Sequence, residues 1–186
     1  MPGSLPAVKL AAAVVKDRDV DRAPELEYGA IMTHQELNEQ FGIDGAATFE
    51  QGEGGLTRLA LHTPGGTATV YPHGAHVAEF IPAGHDPVLW MSERSEFASG
   101  KPIRGGIPVC FPWFGAHPSN PSLPNHGIVR LREWRVDRVW SLDSGSIAAR
   151  FVFESDGETQ QAWPYDFFLQ LTVSVSNRLG ARLEVY

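Results

Sequence analysis

From Gly42 onward, apolar and polar residues alternate with a period of two. The clearest run is 166–177, where Phe167, Leu169, Leu171, Val173 and Val175 fall on one side and Gln170, Thr172, Ser174 and Ser176 on the other. A pleated strand sends successive side chains to opposite faces, so the run predicts a strand with one apolar and one polar face. Ile147, Ala149, Phe151 and Phe153, set against Ser146, Arg150 and Glu154, predict a second. Shorter strands are predicted at 46–51, 56–63, 67–72, 76–82 and 87–91, separated by the turn residues Gly54-Gly55, Gly65-Gly66 and Gly84-His85-Asp86, and another begins near Arg182. One short helix is predicted. Thr33-His34-Gln35-Glu36 has the capping-box form, Leu37 and Phe41 follow at helical spacing, and Gly42 stops it. Many short strands without βαβ alternation predict an all-β fold, a sandwich or a barrel. Residues 1–30 show neither period and are dense in proline and charge, which predicts a leader or poorly ordered arm before a domain at 31–186.

The alternation breaks at 101–126, KPIRGGIPVCFPWFGAHPSNPSLPNH, which holds six of the chain's 14 prolines. Such a stretch predicts a long, stiffened loop, and ordered loops on a β-scaffold are where binding chemistry concentrates. Phe111, Trp113 and Phe114 lie inside it, Arg104 near its start, and His126 and Arg130 at its end. An aromatic face suits the C–H side of a sugar ring, while Arg and His suit its hydroxyls or a phosphate. Gly105 and Gly106 would let the backbone approach a ligand closely. The competing view is an ordinary surface loop whose aromatics plug the sandwich edge. If 126–130 is a regular strand, His126 and Arg130 share a face and converge on one ligand.

Charge narrows the classes. Lys plus Arg number 15 and Asp plus Glu 22, a net charge of −7, which argues against a nucleic-acid partner. The single cysteine, Cys110, excludes an internal disulfide and a cysteine-cage zinc site, and its apolar neighbours predict a packed thiol. His73 and His76, three apart on a strand, would face opposite ways, so no metal site is expected. Arg130, Arg132, Arg135 and Arg138 predict a solvated strand pairing with Glu133 and Asp137, with some left for an anion. The apolar run 10–15 is too short to span a membrane and resembles no signal peptide. A cytoplasmic monomer without a membrane partner is expected.

Four blocks in order, 88–92 (VLWMS), 102–108 (PIRGGIP), 109–115 (VCFPWFG) and 126–130 (HGIVR) followed by Trp134, resemble the glucose-6-phosphate 1-epimerases, or hexose-6-phosphate mutarotases, of the aldose 1-epimerase superfamily. The similarity begins near Leu37. It implies a twisted antiparallel β-sandwich of the galactose-mutarotase type, here incomplete, that interconverts α and β anomers of hexose 6-phosphates without metal or organic cofactor. One group takes the anomeric hydroxyl proton while another protonates the ring oxygen, the ring opens, and the steps reverse. By this resemblance Arg104, His126 and Arg130 are substrate-binding. The family's catalytic histidine and glutamate belong to later blocks that this chain does not contain, so no catalytic residue is assigned. The chain is expected to be the N-terminal part of such an enzyme or, as the alternative, an inactive sugar- or sugar-phosphate-binding sandwich.

Overall fold

The computed structural model describes residues 8–14, 32–142 and 145–186. Its strands are β1 (Val8–Val14), β2 (Ala47–Gln51), β3 (Thr57–Thr63), β4 (Gly66–Tyr71), β5 (His76–Pro82), β6 (Arg135–Ser141), β7 (Ile147–Glu154), β8 (Phe168–Val175) and β9 (Leu179–Val185). They form a five-stranded sheet in the order β1-β9-β8-β7-β6 and a four-stranded sheet in the order β2-β3-β4-β5. Every pairing is antiparallel except β1 with β9, which is parallel. β1 falls inside the segment expected to be a leader, and residues 1–7 and 15–30 of that segment lie outside the described residues.

The sheets face each other through the side chains that the alternation marks. Phe167, Leu169, Leu171, Val173 and Val175 are all buried, as are Ile147, Ala149, Phe151 and Phe153 from β7. They meet Phe49, Leu59, Leu61, Val70 and Phe80 from the opposite sheet in one continuous core. Dense interdigitation of this kind, rather than any single contact, holds two sheets face to face. Ala148 and Val152 on the other face of β7 are buried too, so this central strand is covered on both sides.

The helix α1 (His34–Phe41) forms where the capping box places it. Glu36 N–H donates to Thr33 Oγ1 at 3.3 Å and Thr33 N–H to Glu36 Oε2 at 2.7 Å. Two turns are too few to stand alone in water, and tertiary contacts supply the rest. Leu37 is buried, and the Asn38 amide bonds both backbone groups of Phe49 on β2 at 2.7 Å. A second helix, α2 (Gly157–Ala162), capped by Asp156, joins β7 to β8.

One predicted strand is absent, and 126–130 is not the regular strand that would put His126 and Arg130 on one face. Residues 87–91 run irregularly, with Val88 N–H donating to Phe80 O at 2.9 Å and one isolated bridge from Met91 to Gly105. Residues 126–130 enter a turn and a 3-10 helix (Val129–Leu131), for reasons given below.

Candidate functional site

The segment 101–132 crosses the end of the sandwich and is held there at both ends. Near its start, residues 104–106 run antiparallel to 90–92: Gly106 N–H donates to Trp90 O at 2.8 Å and Ser92 N–H to Arg104 O at 3.1 Å, flanking the Met91–Gly105 bridge. Arg104 N–H donates to Ser95 Oγ at 3.0 Å, and the Arg104 side chain is exposed. Met91 packs inward with Tyr71, Ala78 and Ile103, so alternation sends Trp90 to the opposite side, where it is 72% exposed. The alternation pattern assigns Trp90 no role, although it stands in the VLWMS block.

At the far end, residues 111–115 and 126–128 close on each other. Ile128 N–H donates to Phe111 O at 2.9 Å, His126 N–H to Gly115 O at 2.7 Å, and Gly115 N–H to His126 Nδ1 at 3.0 Å. A Cβ on residue 127 would sit 1.9 Å from Phe111 O, so only glycine permits the approach. That clamp, with His126 at φ +66°, is why 126–130 is not a strand and why His126 and Arg130 do not share a strand face. A non-glycine residue in this region is strained and is held by its surroundings. Because the backbone N–H can only donate, Nδ1 of a neutral His126 accepts and its Nε2 carries the proton. The imidazole therefore offers a ligand oxygen a donor.

The three loop aromatics part company. Phe111 packs on Phe167 of the core with ring centroids 4.9 Å apart, and Trp113 Nε1–H donates to Pro124 O at 3.0 Å inside the loop. Only Phe114 faces solvent, 80% exposed with its ring edge-on to His126 at 4.6 Å. The edge-plugging view thus describes Phe111, and the ligand-facing view Phe114.

Arg130 sits on the 3-10 turn and its Nη2 donates to Ile103 O at 3.3 Å, the residue before Arg104. Burial, and after it the Arg104 charge, lower the Arg130 pKa, with Cys110 acting the other way. Arg130 stays charged nonetheless. The Cys110 thiol is pushed up by burial, which makes it a poor nucleophile. The neighbouring arginines are compensated otherwise. Arg132 reaches Asp156 at 2.6 Å and Glu158 at 3.1 Å, Arg135 pairs with Asp137, and Arg138 lies over the Trp140 ring. So Arg132 pairs with α2 rather than with Glu133. Among the described residues, neither Arg104 nor Arg130 meets a carboxylate. Arg130 is tied to the backbone one residue from Arg104, while no hydrogen bond joins His126 to either arginine.

His73 and His76 are both buried in the β4–β5 hairpin. His73 Nε2–H donates to Lys101 O at 2.8 Å and its Nδ1 lies 3.9 Å from Glu133, whose carboxyl burial pushes up to about 7. Among the described residues no group of three or more His, Cys, Asp or Glu is arranged around a metal position. A cleft of about 380 Å³ lies against the outer face of β3–β5, but Glu53, Glu79 and Glu93 line it with Arg58 as the only cation. Arg58 is paired with Glu50, so that cleft repels an anion. The electropositive place is the loop.

Residues 57–186 match the family model described as aldose 1-epimerase. The chain belongs to the aldose 1-epimerase family. Relatives of this epimerase-family chain include a protein of Escherichia coli provisionally named glucose-6-phosphate 1-epimerase, 37% identical over 130 residues, which are 70% of this chain and 42% of the relative. A Salmonella typhimurium protein with the same provisional name is 31% identical over 131 residues, 70% of this chain and 44% of that one. The crystal structure of a provisionally named mutarotase from Salmonella typhimurium superposes with a TM-score of 0.72 at 29% identity, covering 78% of this chain and 48% of that one. The epimerase-family chain therefore spans less than half the length of the relatives it matches, and it shares their β-sandwich. No helix among its described residues is long and apolar enough to cross a membrane.

Proposed function

We propose that this chain carries the substrate-binding loop of a glucose-6-phosphate 1-epimerase, in which Arg104 and Arg130 hold the phosphate of a hexose 6-phosphate and His126 donates to a sugar oxygen. One observation carries this reading: Arg130 donates to the Ile103 carbonyl, one residue from Arg104, and among the described residues neither arginine meets a carboxylate, in a chain of net charge −7. The two cations repel, and a dianion that bridges them relieves the repulsion with charge-assisted hydrogen bonds. Trp90 and Phe114, exposed at the two ends of the loop, offer apolar faces for the sugar. The lone free cysteine and the acidic balance suit a cytoplasmic protein, and the reading calls for no metal, cofactor or partner chain.

For the parent enzyme the activity is interconversion of α and β anomers by acid–base ring opening. The loop binds and orients, and it lacks a group to accept the anomeric proton: Nδ1 of His126 is occupied, and no carboxylate stands beside either arginine. The 186-residue chain is therefore expected to bind glucose 6-phosphate without speeding anomer exchange. Exchange NMR tests both at once, since binding broadens the sugar resonances and catalysis adds cross-peaks between anomers. Cross-peaks above the spontaneous rate would place a proton-transfer group in this chain, and unbroadened resonances would remove the binding role.

A further inference from the structure

His76 opens β5 beneath the Gly105-Gly106 backbone. The 72–75 turn before it is laced to the chain that follows Arg130: Gly74 N–H donates to Arg132 O at 2.7 Å and Trp134 N–H to Pro72 O at 3.0 Å. Beyond it, Val77 and Ile107 exchange backbone hydrogen bonds at 2.8 and 3.4 Å, which lays Gly105-Gly106 over the ring. A Cβ on residue 106 would stand 2.8 Å from His76 Nε2, so the imidazole occupies the ground that a side chain there would need. The residue is 3% exposed. Its ring lies against the Gly105 backbone, which acts to raise the His76 pKa, but Nε2 makes no hydrogen bond of good geometry, and neither does the buried Nε of Arg130.

Packing alone does not explain an imidazole here. A phenyl ring would fill the same space and leave no unpaired nitrogen, an omission that costs about 1–3 kcal/mol when the atom is buried. A carboxylate would neutralise Arg130 and a lysine would repel it. A neutral ring with polar edges can stand within the field of a guanidinium and leave its charge available.

We infer that His76 is a positioning residue for the anion site, a buried ring that supports the 104–106 ribbon and, through the bond to Ile103 O, the Arg130 guanidinium. This rests on the phosphate reading of Arg104 and Arg130. Burial, and after it the Arg130 charge, hold the His76 pKa near 4, so the ring is uncharged at neutral pH. Protonated, it would be a further cation within the field of Arg130.

The test compares His76→Phe and His76→Gln with the unaltered chain by thermal melting, by titration with glucose 6-phosphate and with glucose, and by the Arg130 Nε–H resonance of the ligand-free protein. His76→Phe is expected to melt at or above the unaltered chain, since it removes the unpaired nitrogen, and to bind glucose 6-phosphate about tenfold more weakly with glucose affinity unchanged. His76→Gln, neutral and polar, is expected to recover most of that affinity. A phenylalanine variant that keeps the full phosphate preference, or a glutamine variant as weak as Arg130→Ala, overturns the inference. Should His76→Phe not fold, the glutamine comparison decides it. Should the unaltered chain not distinguish the two sugars, the phosphate reading falls, and the Arg130 resonance still judges His76. It shifts or broadens in His76→Phe and persists in His76→Gln if the ring positions the guanidinium, and an unchanged resonance in both contradicts it.

Discussion

In the two sheets most arginines are paired with carboxylates and side chains are sorted by face, whereas Arg104 and Arg130 of the 101–132 segment meet none among the described residues. Arg58 pairs with Glu50 at 2.8 Å, Arg150 with Asp137, and Arg182 with Glu184 at 2.8 Å. Arg104 and Arg130 lie against each other's field with no carboxylate at hand. A scaffold gains little from exposed ion pairs but loses much by clustering like charges. The arginine pair is thus unfavourable for the free chain and becomes favourable only when an anion sits on it.

The contrast breaks most violently in the core. Phe151→Ala removes a fully buried ring from the sheet interface and is expected to cost about 3–5 kcal/mol, read by denaturant unfolding. Loop substitutions at Arg104 or Phe114, both exposed, are expected to leave the melting midpoint nearly unchanged.

Acid sharpens the same contrast. His76 has a folded pKa near 4 against 6.5 unfolded, so between those values the unfolded chain binds the extra proton and stability falls as pH drops. The loss is at most about 3 kcal/mol, complete by pH 4 and absent above 6.5. Glu133 acts in the opposite sense. Its folded pKa of about 7 exceeds the unfolded 4.5, so its contribution is full below 4.5 and disappears as pH rises through 7. Melts across pH 4–8 should therefore flatten on the acid side in His76→Gln and on the neutral side in Glu133→Gln.

The smallest effect expected is Thr33→Ala, about 1 kcal/mol, since it deletes only the cap of α1. That this cap is readable at all shows where sequence suffices. A capping box is local, and so is the alternation of β7 and β8, which assigns Phe151 and Leu169 to the core from residue order alone. The 126–130 turn is not legible because its cause is remote in sequence: Gly127 must pass Phe111 O, 16 positions earlier. Helix α2 escapes because its cap pairs Asp156 with Thr159 rather than a carboxylate, and six residues are too few to show a helical period. Arg104, His126 and Arg130 are legible as residue types in ordered blocks, but which arginine of the later run stands uncompensated depends on α2 folding back to take Arg132. His76 and Trp90 have no signal beyond the glycines and blocks beside them.

The central claim is that Arg104 and Arg130 form a phosphate grip, and Arg104→Ala tests it most directly, through the affinities of the unaltered and altered chains for glucose 6-phosphate and for glucose. The unaltered chain should prefer the phosphate ester, and the substitution should lower that affinity about tenfold or more while leaving glucose binding nearly untouched. An equal loss for both sugars, or no loss for either, would contradict it.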